Sequence, residues 1–186
     1  MPQCAPEEYH PFGEGPEGVA PLAYFGSDYV FHVSSSMHDE TGFPNSRPDN
    51  AARVIARLHR KVEDHRDELE MVRRYYLEEA LYVVVSYGAS SRAALATVQE
   101  ARQAGCPVGL LQLLCVWPFP DRLISQLAGR AAAMLVAEMS YGQLRGEVER
   151  AAGGQTRVKG IHRFDGELLT PEEVLGALEE VAGCRF

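Results

Sequence analysis

Glu138 lies where an apolar run gives way to a turn, in Val136-Ala-Glu-Met-Ser-Tyr-Gly-Gln-Leu144. A carboxylate at such a point is a candidate acid or base, and Gln143 adds an amide that both donates and accepts. No spacing in the chain brings a second acid or base to Glu138, so a structural or interface role outweighs catalysis. Gly88-Ala-Ser-Ser91 offers different chemistry. Gly88 permits a tight turn, and Ser90 and Ser91 fall at a helix start whose free N–H groups can hold an anion. Capping the helix is the commoner use of such hydroxyls. The turn is not G-x-G-x-x-G, so it does not announce a dinucleotide site.

Four further groups carry chemical residue types. His38-Asp39-Glu40 reads as metal ligands by composition, but consecutive residues rarely converge on one ion, and turn hydrogen bonds are the plainer use. No metal site is expected. In Trp117-Pro-Phe-Pro120 the prolines stiffen a loop that presents Trp117 and Phe119, either sealing the structure beneath or anchoring another subunit. His59 and Glu63 are four apart but stand among Arg and Lys, which makes a solvated ion-pair face. Cys4, Cys106, Cys115 and Cys184 are scattered without a C-x-x-C pair, so zinc and cluster spacings are missing, and Cys106 and Cys115 read as small buried hydrophobes.

The elements that must position these residues are legible as periodic runs. Leu81–Val85, Val108–Leu114 and Ala132–Ala137 are continuous apolar stretches, as strands covered on both faces require, with a weaker strand at Thr156–Ile161. Helical patterns follow at about 91–104, 120–130 and 142–152, and a last helix starts at Thr170-Pro-Glu-Glu173, with Thr170 as its cap. This alternation predicts an α/β fold: a three-layer Rossmann-like domain over 79–186 with a mainly parallel sheet. All three marked turns then lie at one edge of that sheet, where open α/β folds place ligands and partners.

Before it, residues 1–48 form an irregular, Pro- and Gly-rich segment with one short strand at Tyr29–Val33. Ser46-Arg-Pro-Asp49 reads as a helix start capped by Ser46. Ala51, Ile55, Leu58, Val62, His65, Leu69 and Val72 then alternate at four and three, predicting a helix over 49–78, roughly 45 Å long. Such a rod reads as a strut to another body, with His65 on its seam.

Composition narrows the partners. The chain has 186 residues, 46% apolar and 24% charged, with a formal net charge of −8. Its basic residues are interleaved with acids, so nucleic acid is not an expected partner. Nothing reads as a signal peptide or membrane span, which predicts a cytoplasmic, reduced protein.

The wording of the turns resembles the alpha subunit of the 2-oxoacid:ferredoxin oxidoreductases. That family shows a GSS-A-R-S turn, a WPFP loop and E-M-N-x-G-Q-L, which here read Gly88-Ala-Ser-Ser-Arg-Ala93, Trp117–Pro120 and Glu138-Met-Ser-Tyr-Gly-Gln-Leu144. Its H-V-T-G-x-x-H-D-E-x-G-[YF]-P segment resembles His32–Pro44, and the tail from Gly166 is similar too. Ser35 replaces a glycine of that pattern and Ser140 an asparagine.

The resemblance implies the later part of such a subunit, with a transketolase C-terminal-like domain that assembles the enzyme and is not catalytic alone. Its partners would be a thiamine-binding N-terminal domain and a beta subunit, in an oligomeric complex, with ferredoxin engaged indirectly. Thiamine diphosphate and an iron–sulfur cluster would belong to the intact complex, with coenzyme A as cosubstrate and none of them held by this chain. The family reaction is oxidative decarboxylation of a 2-oxoacid, such as 2-oxoglutarate or pyruvate, to the acyl-coenzyme A. The loop wording leans towards 2-oxoglutarate. The alternative is a free-standing module that binds an anion or nucleotide at Gly88–Ser91.

Overall fold

Residues 1–34, 36–183 and 185 are described by a computed structural model and fall into two units, Met1–Asp67 and Glu68–Phe186. Ser35 and Cys184, both singled out in the sequence, lie outside the described residues.

In the second unit the apolar runs become strands, because a covered strand hides its backbone polar groups only by pairing on both sides. The strands are β1 (Val72–Tyr75), β2 (Tyr82–Tyr87), β3 (Val108–Leu113), β4 (Ala133–Glu138) and β5 (Arg157–His162). They form one sheet in the order β1-β3-β2-β4-β5, parallel except for β1, which pairs antiparallel to β3. Helices α3 (Ser90–Gln103) and α6 (Pro171–Ala182) cover one face, around Val84, Leu110 and Leu135. The other face, around Val85, Leu111 and Val136, is covered by α4 (Asp121–Ala128) and α5 (Gln143–Ala152). These side chains have almost no exposed surface, and each such burial contributes about 1.5–3 kcal/mol. The predicted capping box opens α6: Thr170 accepts from the Glu173 amide, and Glu173 accepts from the Thr170 amide at 2.9 Å.

The first unit departs from its reading in three places. Tyr29–Val33 forms no strand. The first helix, α1 (Pro48–Asp64), is capped at Arg47 without a side-chain hydrogen bond, so Ser46 is not its cap. Most consequentially, the predicted helix over 49–78 ends at Asp64. His65 leaves helical geometry, a short α2 (Arg66–Leu69) follows, and Val72–Tyr75 is strand β1. The helix is therefore about 25 Å long. Val72 fits both a helical seam and a strand period, and pairing with Leu113 decides the matter.

The face that α1 buries is also unexpected. Asn50 and Arg57 are covered, while Ile55 and Leu58 of the apolar seam are exposed. Arg57 donates to the Phe12 carbonyl at 2.6 Å, and Asn50 donates to the carbonyls of His38 and Asn45 at 3.0 and 2.9 Å. The helix holds the irregular segment through its polar side chains.

Candidate functional site

Strand order places the marked turns. The connections from β2 to β3 and from β4 to β5 run in opposite directions, through α3 and α5 on opposite faces. The chain therefore diverges at the carboxyl ends of the adjacent strands β2 and β4, the switch point where open α/β sheets form a crevice. Gly88–Ser91 flanks that point on one side and Glu138–Gln143 on the other. A hydrogen bond of 2.8 Å from Ser86 Oγ to the Ala137 carbonyl ties the two strands just beneath.

Glu138 is fully buried and spends its carboxylate on structure. Oε2 accepts from the Leu144 amide at 2.9 Å and from Ser140 Oγ, and Oε1 accepts from the Arg145 amide at 3.0 Å. Those amides lie in the first turn of α5, where a negative charge satisfies free donors and opposes the helix dipole. His162 Nδ1 stands 3.3 Å from Oε1, within ion-pair range. Sequence reasoning missed His162, which is 24 residues away. The β4–β5 register pairs Glu138 directly with His162, and that register was the one signal able to find it. A Cβ on Gly160 would strike the His162 ring, so the glycine makes room for it.

The other turn residues separate by burial. Gly88 adopts φ +57°, a left-handed conformation that suits the tight turn read there. Ser90 and Ser91 open α3 but neither caps it: the cap position is Ala89, without a side-chain hydrogen bond. Both are buried, and Ser91 Oγ has no partner among the described residues. The loop after β3 does not present two aromatics. Phe119 belongs to the core, with the Arg150 guanidinium 5.9 Å from its ring centre, while Trp117 is 54% exposed. Cys115, half-buried, donates its thiol to the Trp117 carbonyl at 2.9 Å. An apolar hollow of about 210 Å³, lined by Tyr87, Val116, Phe119, Gln143, Leu144 and Glu147, joins this loop to the start of α5. It suits an apolar side chain better than a polar reaction.

His38, Asp39 and Glu40 point to three different partners in the first unit. The His38 ring packs on Phe12 at 3.9 Å, and Glu40 pairs with Arg53 at 2.8 Å. Asp39 accepts from Thr41 Oγ1 at 2.5 Å, Asn45 Nδ2 at 3.2 Å and the Thr41 amide at 3.1 Å. Hydrogen bonds from the Thr41 and then the Asn45 side chain hold its carboxyl below the usual aspartate range. A Cβ on Gly42 would overlap the His32 carbonyl, so this loop closes only around a glycine.

Comparison with known proteins agrees with this architecture. Residues 80–174 match the model of pyruvate:ferredoxin oxidoreductase core domain II, which covers just over half of the chain. The chain belongs to that family. The 2-oxoglutarate synthase subunit KorA of Methanothermobacter thermautotrophicus is 37% identical over 95% of this chain and 47% of its own length. The ketoisovalerate oxidoreductase subunit VorB of Methanothermobacter marburgensis is 38% identical over 59% of this chain and 31% of its own length. This member of the core domain II family thus spans about half the length, or less, of the curated relatives it matches.

Solved structures extend the likeness at the level of fold. A 2-oxoglutarate:ferredoxin oxidoreductase from Magnetococcus marinus, solved with 2-oxoglutarate, coenzyme A and succinyl-CoA, superposes with a TM-score of 0.68. Its identity is 19%, over 93% of this chain and 30% of that one. A split-gene transketolase matches with a TM-score of 0.51 and 18% identity, over 61% of this chain and 43% of its own. The α/β fold and the alpha-subunit resemblance read from the turns both stand. Ser140, where the family pattern has asparagine, donates its hydroxyl to Glu138 beside the Leu144 and Arg145 amides. Among the described residues, no helix is long and apolar enough to cross a membrane.

Proposed function

We propose that this chain is the assembly part of a 2-oxoacid:ferredoxin oxidoreductase alpha subunit, of the 2-oxoglutarate type, and that it is not catalytic alone. The observation that carries this reading is the inverted packing of the first unit. Among its described residues, Tyr9 is the one large apolar side chain that is buried, whereas Leu22, Tyr24, Phe25, Val30, Val33 and Phe43 are exposed beside Ile55 and Leu58. Exposed apolar side chains in that number suit burial against another polypeptide. Trp117 adds an exposed anchor at the sheet edge of the second unit. The partners are a thiamine-binding domain and an iron–sulfur beta subunit, with ferredoxin and coenzyme A engaged by the whole complex.

When bound, thiamine diphosphate supplies the electron sink for decarboxylation, and the protein supplies its placement. The carboxylate at this sheet edge does not fit that task, because Glu138 is closed in by Ser140, Leu144, Arg145 and His162. The isolated chain is therefore expected to show no heat on titration with thiamine diphosphate. Co-expression with the two partner polypeptides is expected to yield one complex in which Trp117→Ala or Phe25→Ser weakens assembly. Micromolar thiamine diphosphate binding by the chain alone sinks the reading.

A second reading is a free-standing anion or nucleotide module at the Gly88–Ser91 turn. Its support is the buried, unpartnered Ser91 hydroxyl at the start of α3. It requires a saturable thermal shift that Ser90→Trp abolishes.

A further inference from the structure

The amino ends of the parallel strands, far from the turns above, hold a cleft that the assembly reading leaves unused. The turn from β1 to β2 folds across the start of β3. Tyr76 takes the left-handed φ of 55°, and a Cβ on Gly109 would stand 2.7 Å from its carbonyl oxygen, so only glycine lets the turn lie this close. Arg130, just past α4, donates to the Leu77 carbonyl at 3.0 Å and pins the turn. Arg102, in the last turn of α3, donates to the Val108 carbonyl at 3.0 Å, and its guanidinium lies 4.9 Å from the Tyr76 ring centre.

These anchors border a cleft of about 500 Å³ lined by Arg74, Arg102 and Arg130 together with Glu78 and Glu79. A second cleft of about 480 Å³ shares Tyr76 and Arg102 and runs on past Gln99 and Gln103. Three arginines lining one cleft on a chain of net charge −8 call for a cause. Guarding an edge strand accounts for the charge of Arg74 on β1, but not for its sharing a cleft with one arginine at the end of α3 and another just past α4. Arg102 and Arg130 each commit one donor to a carbonyl and keep the rest of a fixed five-donor fork. The Arg74 side chain has no hydrogen-bond or ion-pair partner among the described residues.

We propose that this cleft binds a phosphorylated small molecule of the nucleotide class. Planar forks held in advance suit phosphate oxygens. Glu78 and Glu79 suit the hydroxyls of a sugar, which carboxylates accept. The Tyr76 ring, 50% exposed and backed by Arg102, suits a stacked base. The volume is that of an organic ligand rather than an inorganic ion. The site does not rest on the assembly reading, since that reading uses none of the residues lining this cleft.

Calorimetry of the full chain at low ionic strength, with adenosine monophosphate and with inorganic phosphate as probes, tests this. One saturable site is expected for the nucleotide, at least about tenfold tighter than for phosphate. Arg74→Gln weakens both probes about tenfold, and Tyr76→Ala removes the nucleotide's advantage. Arg122→Gln, the same charge change on α4 outside the cleft, leaves both unchanged. Far-UV circular dichroism of each variant confirms that it folds. The proposal is overturned by unsaturable nucleotide heats at millimolar concentration, by equal affinities for the two probes, or by equal losses in Arg74→Gln and Arg122→Gln.

Discussion

In the unit from Glu68 to Phe186, Val84, Leu110 and Val136 have no exposed surface. In the unit from Met1 to Asp67, Phe25 and Val30 are 94% and 89% exposed, and the covered face of α1 is Asn50 and Arg57. The first arrangement is held by apolar burial, which is large and insensitive to salt. The other is held by Arg57 on Phe12, Asn50 on His38, Arg60 on Glu14 at 2.6 Å and Arg53 on Glu40 at 2.8 Å. Exposed ion pairs of this kind contribute about 0–1 kcal/mol each. One unit buries its large apolar side chains, and the other leaves most of its own exposed.

The sharpest way to break this contrast is a pair of truncations. Leu111→Ala in the sheet core is expected to cost about 2–5 kcal/mol in urea unfolding, and Ile55→Ala on α1 less than about 0.5 kcal/mol. A large cost for Ile55→Ala in the free chain would mean that its seam is already covered, and the contrast fails.

Next in size is the buried carboxylate. Glu138→Ala leaves the Leu144 and Arg145 amides without their acceptor and is expected to cost about 3 kcal/mol, with Glu138→Gln milder. If Glu138→Ala unfolds no more easily than the parent chain, the start of α5 is held by other groups.

Two glycines sharpen the comparison further. Gly109→Ala presses on the Tyr76 backbone and is expected to lower the stability of the second unit by about 1–3 kcal/mol. Gly42→Ala overlaps the His32 carbonyl, but its effect stays local: amide exchange at Asp39 and Gly42 accelerates while the sheet amides remain protected. Equal acceleration in the sheet would show that the units unfold as one.

The smallest expected effect is a pH dependence of the Asp39 loop. The folded state holds this carboxyl below its usual range, so its contribution is complete above the ordinary aspartate value. It is lost as pH falls through the lowered folded value. Exchange of the Thr41 amide, which donates to Asp39 at 3.1 Å, should rise only in that acidic window. A rise already near neutral pH would assign the loop's order to another group.

What the chain announced by itself was local and periodic. Continuous apolar runs gave β2, β3 and β4, because a strand covered by helices on both faces turns neither row of side chains to water. Thr170-Pro-Glu-Glu173 marked the start of α6, because capping chemistry reaches no further than one turn. Gly88 marked a tight turn, and the order of the turns placed them at one sheet edge.

Tertiary contacts decided the rest. Helical spacing from Ala51 to Val72 carried through a segment that bends at His65 and pairs with β3, since Val72 satisfies either period until Leu113 lies beside it. Trp117 and Phe119 read alike in a proline loop, yet one is exposed and the other packed, because only the fold sets which lies over the core. Glu138 read as a candidate acid until the β4–β5 register placed His162 against it and α5 turned its amides onto it. The arginines of the cleft come from a strand, a helix end and a post-helix turn up to 56 residues apart, and no spacing rule joins them. Periodicity tells a residue which face it is on, while register and crossover tell it what it faces.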